Sequence, residues 1–568
     1  MRNKSLLFAA VLCSFGAAVS GAEAFTVGTA SSMELVRPRT GVQVSSVKEV
    51  SVRLARDEYE SVQILVAAAE DIRNVRVAVD MGRSGFASSN ITASVVGYVQ
   101  TTNEPPYKVR PKRKVPETGW WPDPILDFQS TADVARGDVQ SFWVRVHCPA
   151  GQQAGTYWGT LSVSAEGLKP VSLPFSVRVN GFAVSRAAPL PLIISCFRPG
   201  VNAKALPKQG RKSRIQSIRE SEYHRAWETR EEQYCDFFSD YYISWGAPLY
   251  LNSKEEPNWR MLKRLKDRGR LGYFNLCYWW YMGKSPDAEE KWCKKSLPVL
   301  RARYEKAKEL GLADHAVLYG CDEQDPPVFT NIARTVDAIH RHLPGLPVMT
   351  TARDWSFGSS SVLTNVDIFC PVIARHKGPQ LAEARAAGRK VWWYICCDPP
   401  CPWPNAFIEC PPIELRSIMG AMTQKFKPDG FLYYATMIWN SDRPIGKGPF
   451  TDWQPRSFGS FHGDGQWVCC GGPDLLPLAT FRLENFREGL EDLWYARVLE
   501  KRLNARVAEL GPKADGDDWC RRAREALAVP QRLVKWMSNF SCDPAVLYGW
   551  RNEMADLIED GFPPPVAH

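Results

Sequence analysis

The hydrophobic pattern changes period near Pro189–Pro191, and that change constrains the fold of this 568-residue chain more than any other feature. Before it, short segments alternate apolar and polar residues: Ser51–Leu54, Ser61–Ala67, Val75–Val79, Ile91–Tyr98, Gln140–Val146, Gly155–Ser164 and Val171–Val179. Gly151, Gly155, Gly167 and Asn180-Gly181 punctuate them. Period-two alternation broken by turn residues predicts an N-terminal β-sandwich over residues 25–186. Within it, the charged run from Arg56 to Gln63 reads as a solvated turn entering an edge strand.

Beyond Pro191 strand patterns alternate with helical ones. Strands are expected at Leu192–Cys196, Ile243–Leu251, Leu271–Leu276, Ala316–Cys321, Pro347–Thr351, Val366–Pro371, Lys390–Cys396 and Gly430–Ala435. Amphipathic helical stretches lie between several of them: Arg219–Tyr241, Trp259–Asp267, Ala288–Leu310, Val328–His342, Gly378–Ala387 and Ile413–Phe426. That pattern predicts a (β/α)8 barrel of the TIM type over residues 187–480. Helices at Arg482–Leu503, Asp518–Met537 and Pro544–Glu559 fill residues 481–568 and are expected to pad the outside of the barrel. The fold class is therefore multidomain β plus α/β.

A barrel carries its chemistry in the loops after its strands. The strand Ala316–Cys321 ends in two adjacent acids, Asp322 and Glu323, and Pro326-Pro327 forbid its continuation. Neighbouring residues on a regular strand face opposite ways, so this pair shares a pocket only if the strand stops or bulges there. Two-carboxylate glycosidases use acids from opposite sides of the sugar, about 5–5.5 Å apart when retaining. Two neighbouring acids fit the substrate-assisted exception instead, in which a 2-acetamido group is the nucleophile. Asp322 is then the acid that polarises the acetamide, and Glu323 is the general acid and base. The charge of Asp322 and burial by tryptophan are expected to keep Glu323 protonated.

Trp279, Trp393, Tyr394 and Trp439 are candidate walls of the sugar subsite, and Asp464, in a Gly-Asp-Gly turn, a candidate partner for sugar hydroxyls. Arg482 and Glu484 are expected to brace the rim. No cofactor and no metal is implied. Cys396, Cys397, Cys401 and Cys410 lack the paired spacing of a zinc site, so disulfides or buried thiols are the reading. Two other readings stay open: a glycosidase in which Asp464 or Asp398 is the nucleophile and Glu323 the acid, and a non-catalytic glycan-binding protein.

The first 24 residues read as a secretory signal: Arg2 and Lys4, an apolar run from Leu6 to Val11, and Ala22-Glu23-Ala24 as cleavage site. A secreted or periplasmic protein follows as an expectation. Its removal takes Cys13 from the 16 cysteines and leaves an odd number. Apart from basic runs at Lys108–Lys114 and Lys204–Arg219, the +9 charge is spread along the chain, which suits a solvated surface or an anionic glycan and carries no nucleic-acid signature. No membrane span is expected.

Three stretches carry a family resemblance: Arg56-Asp57-Glu58-Tyr59-Glu60-Ser61-Val62-Gln63, then Leu318-Tyr319-Gly320-Cys321-Asp322-Glu323, and last Gly430-Phe431-Leu432-Tyr433-Tyr434 through Gly463-Asp464-Gly465 to the run Arg482–Asp492. In this order the chain resembles glycoside hydrolase family 123 and its uncharacterised relatives. The resemblance implies an exo-acting β-N-acetylgalactosaminidase, retaining through an oxazoline, with a glycan bearing terminal N-acetylgalactosamine as substrate. It places the family's Asp-Glu pair on Asp322 and Glu323. Gln324 stands where family members tend to carry proline, and the cysteine-rich loop 396–410 is a further departure.

Overall fold

A computed structural model describes residues 24–196, 200–201, 229–439, 444–469, 471–472 and 474–560. The signal segment up to residue 23, the basic run 204–219, the first part of the expected helix 219–241, Asn440 and Cys470 lie outside the described residues.

The N-terminal domain is a sandwich of two five-stranded sheets. Its strands are β1 (Phe25–Ser31), β2 (Val50–Arg56), β3 (Glu58–Ala68), β4 (Ile72–Asp80), β5 (Ile91–Thr101), β6 (Gly119–Leu126), β7 (Thr131–Val134), β8 (Val139–Cys148), β9 (Gly155–Ser164) and β10 (Val171–Ala183). The sheets run β1-β3-β8-β5-β6 and β2-β10-β9-β4-β7. Each expected strand is present. Sequence reasoning missed β1, β6 and β7; Pro122 and Pro124 demote β6, which tolerates both as an edge strand whose sheet neighbour is β5.

One sandwich expectation is overturned. The run Arg56–Gln63 is no solvated edge, because β3 pairs on both sides, with β1 and β8. Glu58 and Glu60 are buried, at 1% and 3% exposure. Both face guanidinium groups from the C-terminal half. Arg551 Nη2 lies 2.5 Å from Glu58 Oε1, and Arg416 Nη2 lies 3.1 Å from Glu60 Oε2. Arg416 also meets Glu488 at 2.6 Å and Asp492 at 2.8 Å, and Tyr495 and Tyr548 donate to Glu58 and Glu60. Charges this deep persist only when each finds a partner.

The second domain is built on parallel strands. Seven segments pair in register: Leu192–Ile194, Phe274–Asn275, Ala316–Gly320, Val348–Thr350, Ile368–Phe369, Lys390–Tyr394 (broken at Trp392) and Phe431–Tyr433. The first pairs with the last, and Tyr273 N donates to Leu192 O at 3.0 Å, so hydrogen bonds run round a parallel ring. The predicted strand Ile243–Leu251 is the exception: it forms no ladder, although Leu249 and Leu251 still touch both neighbours through Ser195 Oγ, Asn275 Nδ2 and Tyr278 N. Alternate residues fill the ring. Ile193, Val317, Tyr319, Met349, Ile368, Cys370, Trp392 and Leu432 form one buried cluster, with Tyr394 and Tyr434 packed on it.

The C-terminal helices occupy Phe481–Leu510, Asp518–Leu527 and Pro544–Glu559. The expected helix to Met537 stops at Leu527, since Pro530 cannot continue it, and Val534–Trp536 and Asn539–Phe540 form a small hairpin. The long helix is not outside padding. Thr480 caps it by accepting from Leu483 N, and its first turns are buried between sandwich and ring. Here Arg482 pairs with Asp123 of β6 at 2.8 Å and Glu484 with Arg145 of β8 at 2.6 Å. A Cβ on Gly489 would come within 2.6 Å of Arg416 O, so close helix contact requires glycine there.

The sandwich also reaches over the top of the ring. Tyr107 and Val109 pack against Phe407 and Cys410, and Tyr107 Oη donates to Glu409 Oε2 at 2.5 Å. Glu409 Oε1 in turn lies 2.6 Å from His462 Nδ1, two residues before Asp464.

Candidate active site

The strand Ala316–Gly320 stops where the two acids begin. Cys321 and Glu323 take left-handed backbone conformations, with φ of 52° and 49°. Each costs an ordinary residue free energy, and together they break the strand's alternation. Gly320 lets Trp279 lie against the strand end, because a Cβ there would lie 2.2 Å from Trp279 O. Asp322 and Glu323 therefore both sit on the rim, tied together by Thr351, whose Oγ1 donates to Asp322 Oδ1 at 2.6 Å and accepts from Glu323 N at 3.1 Å.

The two carboxylates have different surroundings. Asp322 is held by hydroxyl groups: Oδ1 accepts from Tyr319 Oη at 2.6 Å and from Thr351, and Oδ2 accepts from Tyr250 Oη at 3.0 Å. Its own N–H donates to Tyr278 Oη at 3.0 Å. Glu323 has a side chain that is 39% exposed. Oε1 accepts from Tyr394 Oη at 2.6 Å and Oε2 lies 3.0 Å from Arg353 Nη2. Burial, with the carboxylates beside them, pushes the Tyr319, Tyr250 and Tyr394 hydroxyls well up, so each stays a proton donor. Asp398, beyond the strand that carries Tyr394, is also pushed up, by burial first and then by the charge of Glu323.

Of the five binding candidates, only Tyr394 touches the pair. Strand alternation explains the neighbouring miss: Trp392 and Tyr394 point into the ring, so Trp393 points out and is fully buried against the helices. Trp279 packs on Gly320 beneath the rim, its Nε1 donating to Leu318 O at 3.1 Å. Trp439 is buried too, its Nε1 donating to Val468 O at 2.7 Å and its ring edge-on to Trp453. These three tryptophans are walls of the core and not of a cleft. Asp464 lies in a turn between Gly463 and Gly465, both with positive φ, and its Oδ1 accepts from Tyr433 Oη at 3.2 Å. Burial pushes its carboxyl up to about 7. No hydrogen bond joins it to either acid of the pair among the described contacts.

Sequence reasoning missed Tyr250, Tyr278, Tyr319, Thr351 and Arg353. Tyr319 and Thr351 were within reach: both belong to expected strands and share the inward parity of Val317 and Met349. The exposed aromatic rings are also different from those expected. Trp280 is 55% exposed and stands edge-on to Tyr278 at 5.3 Å, and Trp355 is 39% exposed with Arg375 over its face. A cavity of about 640 Å³ meets the site at Tyr250 and is lined also by Trp245, Glu255 and Glu256. Among the described residues, no cluster of three or more His, Cys, Asp or Glu is placed to hold a metal ion, and no helix is long and apolar enough to cross a membrane.

Two family models match the chain. Residues 272–499 match the glycoside hydrolase 123 catalytic domain, and residues 39–165 match the glycoside hydrolase 123 N-terminal domain. Between them they take in well over half of the sequence. Among solved structures, the chain is similar to a family 123 glycoside hydrolase from Clostridium perfringens described for glycolipid glycan hydrolysis. The identity is 13% and the TM-score 0.64, with 94% of this chain and 97% of that one covered. A far weaker likeness, TM-score 0.27 at 8% identity, links 78% of this chain to 60% of an FMN-binding beta-glucuronidase from Facaelibacterium prausnitzii L2-6. No curated protein matches.

Proposed function

The chain belongs to glycoside hydrolase family 123, and we propose that it is an exo-acting, retaining β-N-acetylgalactosaminidase that works through an oxazoline. We read the parallel ring as a (β/α)8-type barrel whose second strand is irregular. The observation that carries the mechanism is the broken strand end, which brings adjacent carboxylates to one rim with unlike partners.

Asp322 suits the acid that stays ionised. Three hydroxyl groups fix its position, and Oδ2, with a single partner, keeps a lone pair for the acetamide N–H. Polarised in this way, the acetamide carbonyl oxygen attacks C1 of the sugar while the glycosidic bond breaks. Asp322 then balances the charge on the oxazolinium. Glu323 gives its proton to the departing oxygen. As a carboxylate it next takes a proton from the water that attacks C1, and two inversions leave the β configuration retained. Tyr394 orients Glu323 throughout. The natural substrate we propose is a glycan ending in β-linked N-acetylgalactosamine, met outside the cytoplasm if the first 24 residues direct export.

Aryl β-glycosides test this directly. We expect turnover of the N-acetylgalactosaminide, less of the N-acetylglucosaminide, and none of the galactoside that lacks the acetamide. A thiazoline mimic of the oxazoline should inhibit competitively. Equal turnover of the galactoside, or indifference to the thiazoline, rejects acetamide participation.

A further inference from the structure

The strand that carries Tyr394 runs into two adjacent thiols that the acid-pair chemistry leaves unused. Cys396 and Cys397 are both half-buried, and their Sγ atoms lie 3.9 Å apart. All described cysteines are free thiols, and most are buried. Asp398 N donates to Cys396 Sγ at 3.4 Å, and Asn405 Nδ2 donates to Cys396 O at 2.9 Å. Two residues upstream, Tyr394 Oη holds Glu323 at 2.6 Å. The charges of Asp464 and Glu323 both act on Cys397. The hydrogen bond between the thiols eases proton loss at Cys397 and hinders it at Cys396.

We propose that Cys396 and Cys397 are a redox-sensitive dithiol on the wall of the catalytic rim, closed to a vicinal disulfide by exchange with a low-molecular-weight disulfide. The Cys397 thiolate attacks one sulfur of the small disulfide, which leaves as a thiolate and takes up a proton. Cys396, losing its proton, then attacks Cys397 Sγ and expels the second small thiol. The protein loses two protons and two electrons, and one external disulfide becomes two thiols. Closure must bring sulfurs 3.9 Å apart to a bond of about 2.0 Å, by side-chain rotation together with a shift of the backbone between the two residues. Consecutive Cα atoms are about 3.8 Å apart, below the ordinary disulfide span of roughly 4.4–6.8 Å, so the ring is strained and readily reduced again. It also draws Cys396 Sγ away from Asp398 N, at the end of the segment that aims Tyr394 at Glu323.

The test incubates the full chain with oxidised glutathione, then quenches, alkylates, digests and maps it by mass. We expect the peptide holding both residues to lose two hydrogens, carry no glutathione, resist alkylation, and recover on reduction. Cys396→Ser should instead hold one glutathione on Cys397. A wild-type peptide still alkylated at both thiols, or one that accumulates the glutathione adduct without closing, overturns the proposal. In parallel, oxidation should change wild-type kcat/KM on the cleaved aryl glycoside by at least about threefold and leave the Cys396→Ser/Cys397→Ser double variant insensitive. A closed ring with an unchanged rate overturns the link to the site. The mass readout needs no substrate, so it stands apart from the choice of sugar.

Discussion

Two groups of carboxylates in this molecule look alike in sequence and behave differently. In the seam between sandwich and long helix, Glu58, Glu60, Glu488 and Asp492 are buried and meet the guanidinium groups of Arg416 and Arg551. On the rim, Asp322 meets only neutral hydroxyls, and Glu323 one tyrosine and one exposed arginine. The seam ties its buried carboxyls to guanidinium groups, and burial holds a proton on Glu488 beside Arg416. The rim presents partly exposed acids whose partners among the described residues are hydroxyl groups and one arginine. A carboxylate is available for chemistry when its partners orient it without neutralising it, and that depends on where the strand ends, not on residue type.

Removing either rim acid should produce the largest effect. Asp322→Asn and Glu323→Gln should each lower kcat by about 10²–10⁴-fold with little change in thermal unfolding. Loss of folding in either variant would erase the contrast with the seam. Conversely, Arg416→Met should leave Glu60 and Asp492 uncompensated and cost roughly 3–5 kcal/mol of stability in urea unfolding, while molecules that remain folded keep their turnover. Tyr394→Phe sharpens the comparison from the rim side: loss of one hydrogen bond to Glu323 should reduce kcat about tenfold at unchanged stability.

The seam also predicts a pH dependence. Burial pushes Glu488 up to about 8, whereas in the unfolded chain its pKa is about 4.3. Between those values the folded state holds a proton that the unfolded state has released, so this group's contribution is greatest below the unfolded value and falls as pH rises towards 8. Glu488→Gln should flatten that fall, measured as unfolding midpoints from pH 5 to 8. The smallest expected effect is at the exposed aromatics: Trp280→Ala should raise KM roughly threefold to tenfold, with kcat and stability held.

Much of this was legible in the residues. Period-two segments gave most of the sandwich, and the stop at Pro326 gave the rim acids. What misled was treating chemistry-bearing residues one at a time. Trp393 and Tyr394 cannot both face the site from one strand, and parity alone would have excluded Trp393. Glu58 and Glu60 read as surface charge because their partners, Arg416 and Arg551, lie hundreds of residues away, where no local pattern reaches them. Ile243–Leu251 is apolar enough for a strand, yet its backbone hydrogen bonds go to side chains and isolated backbone groups instead of to a ladder.

The contact from Tyr107 through Glu409 to His462 bears on how this protein could be taken apart. The sandwich grips the loop that carries Asp464, so it is a structural member of the mouth and not a detachable accessory. A chain cut at the boundary near residue 187 would lose that grip along with the acids of β3. Recombining the parallel-stranded domain with a foreign sandwich would then yield a working enzyme only if the donor brought its own tyrosine to the same place.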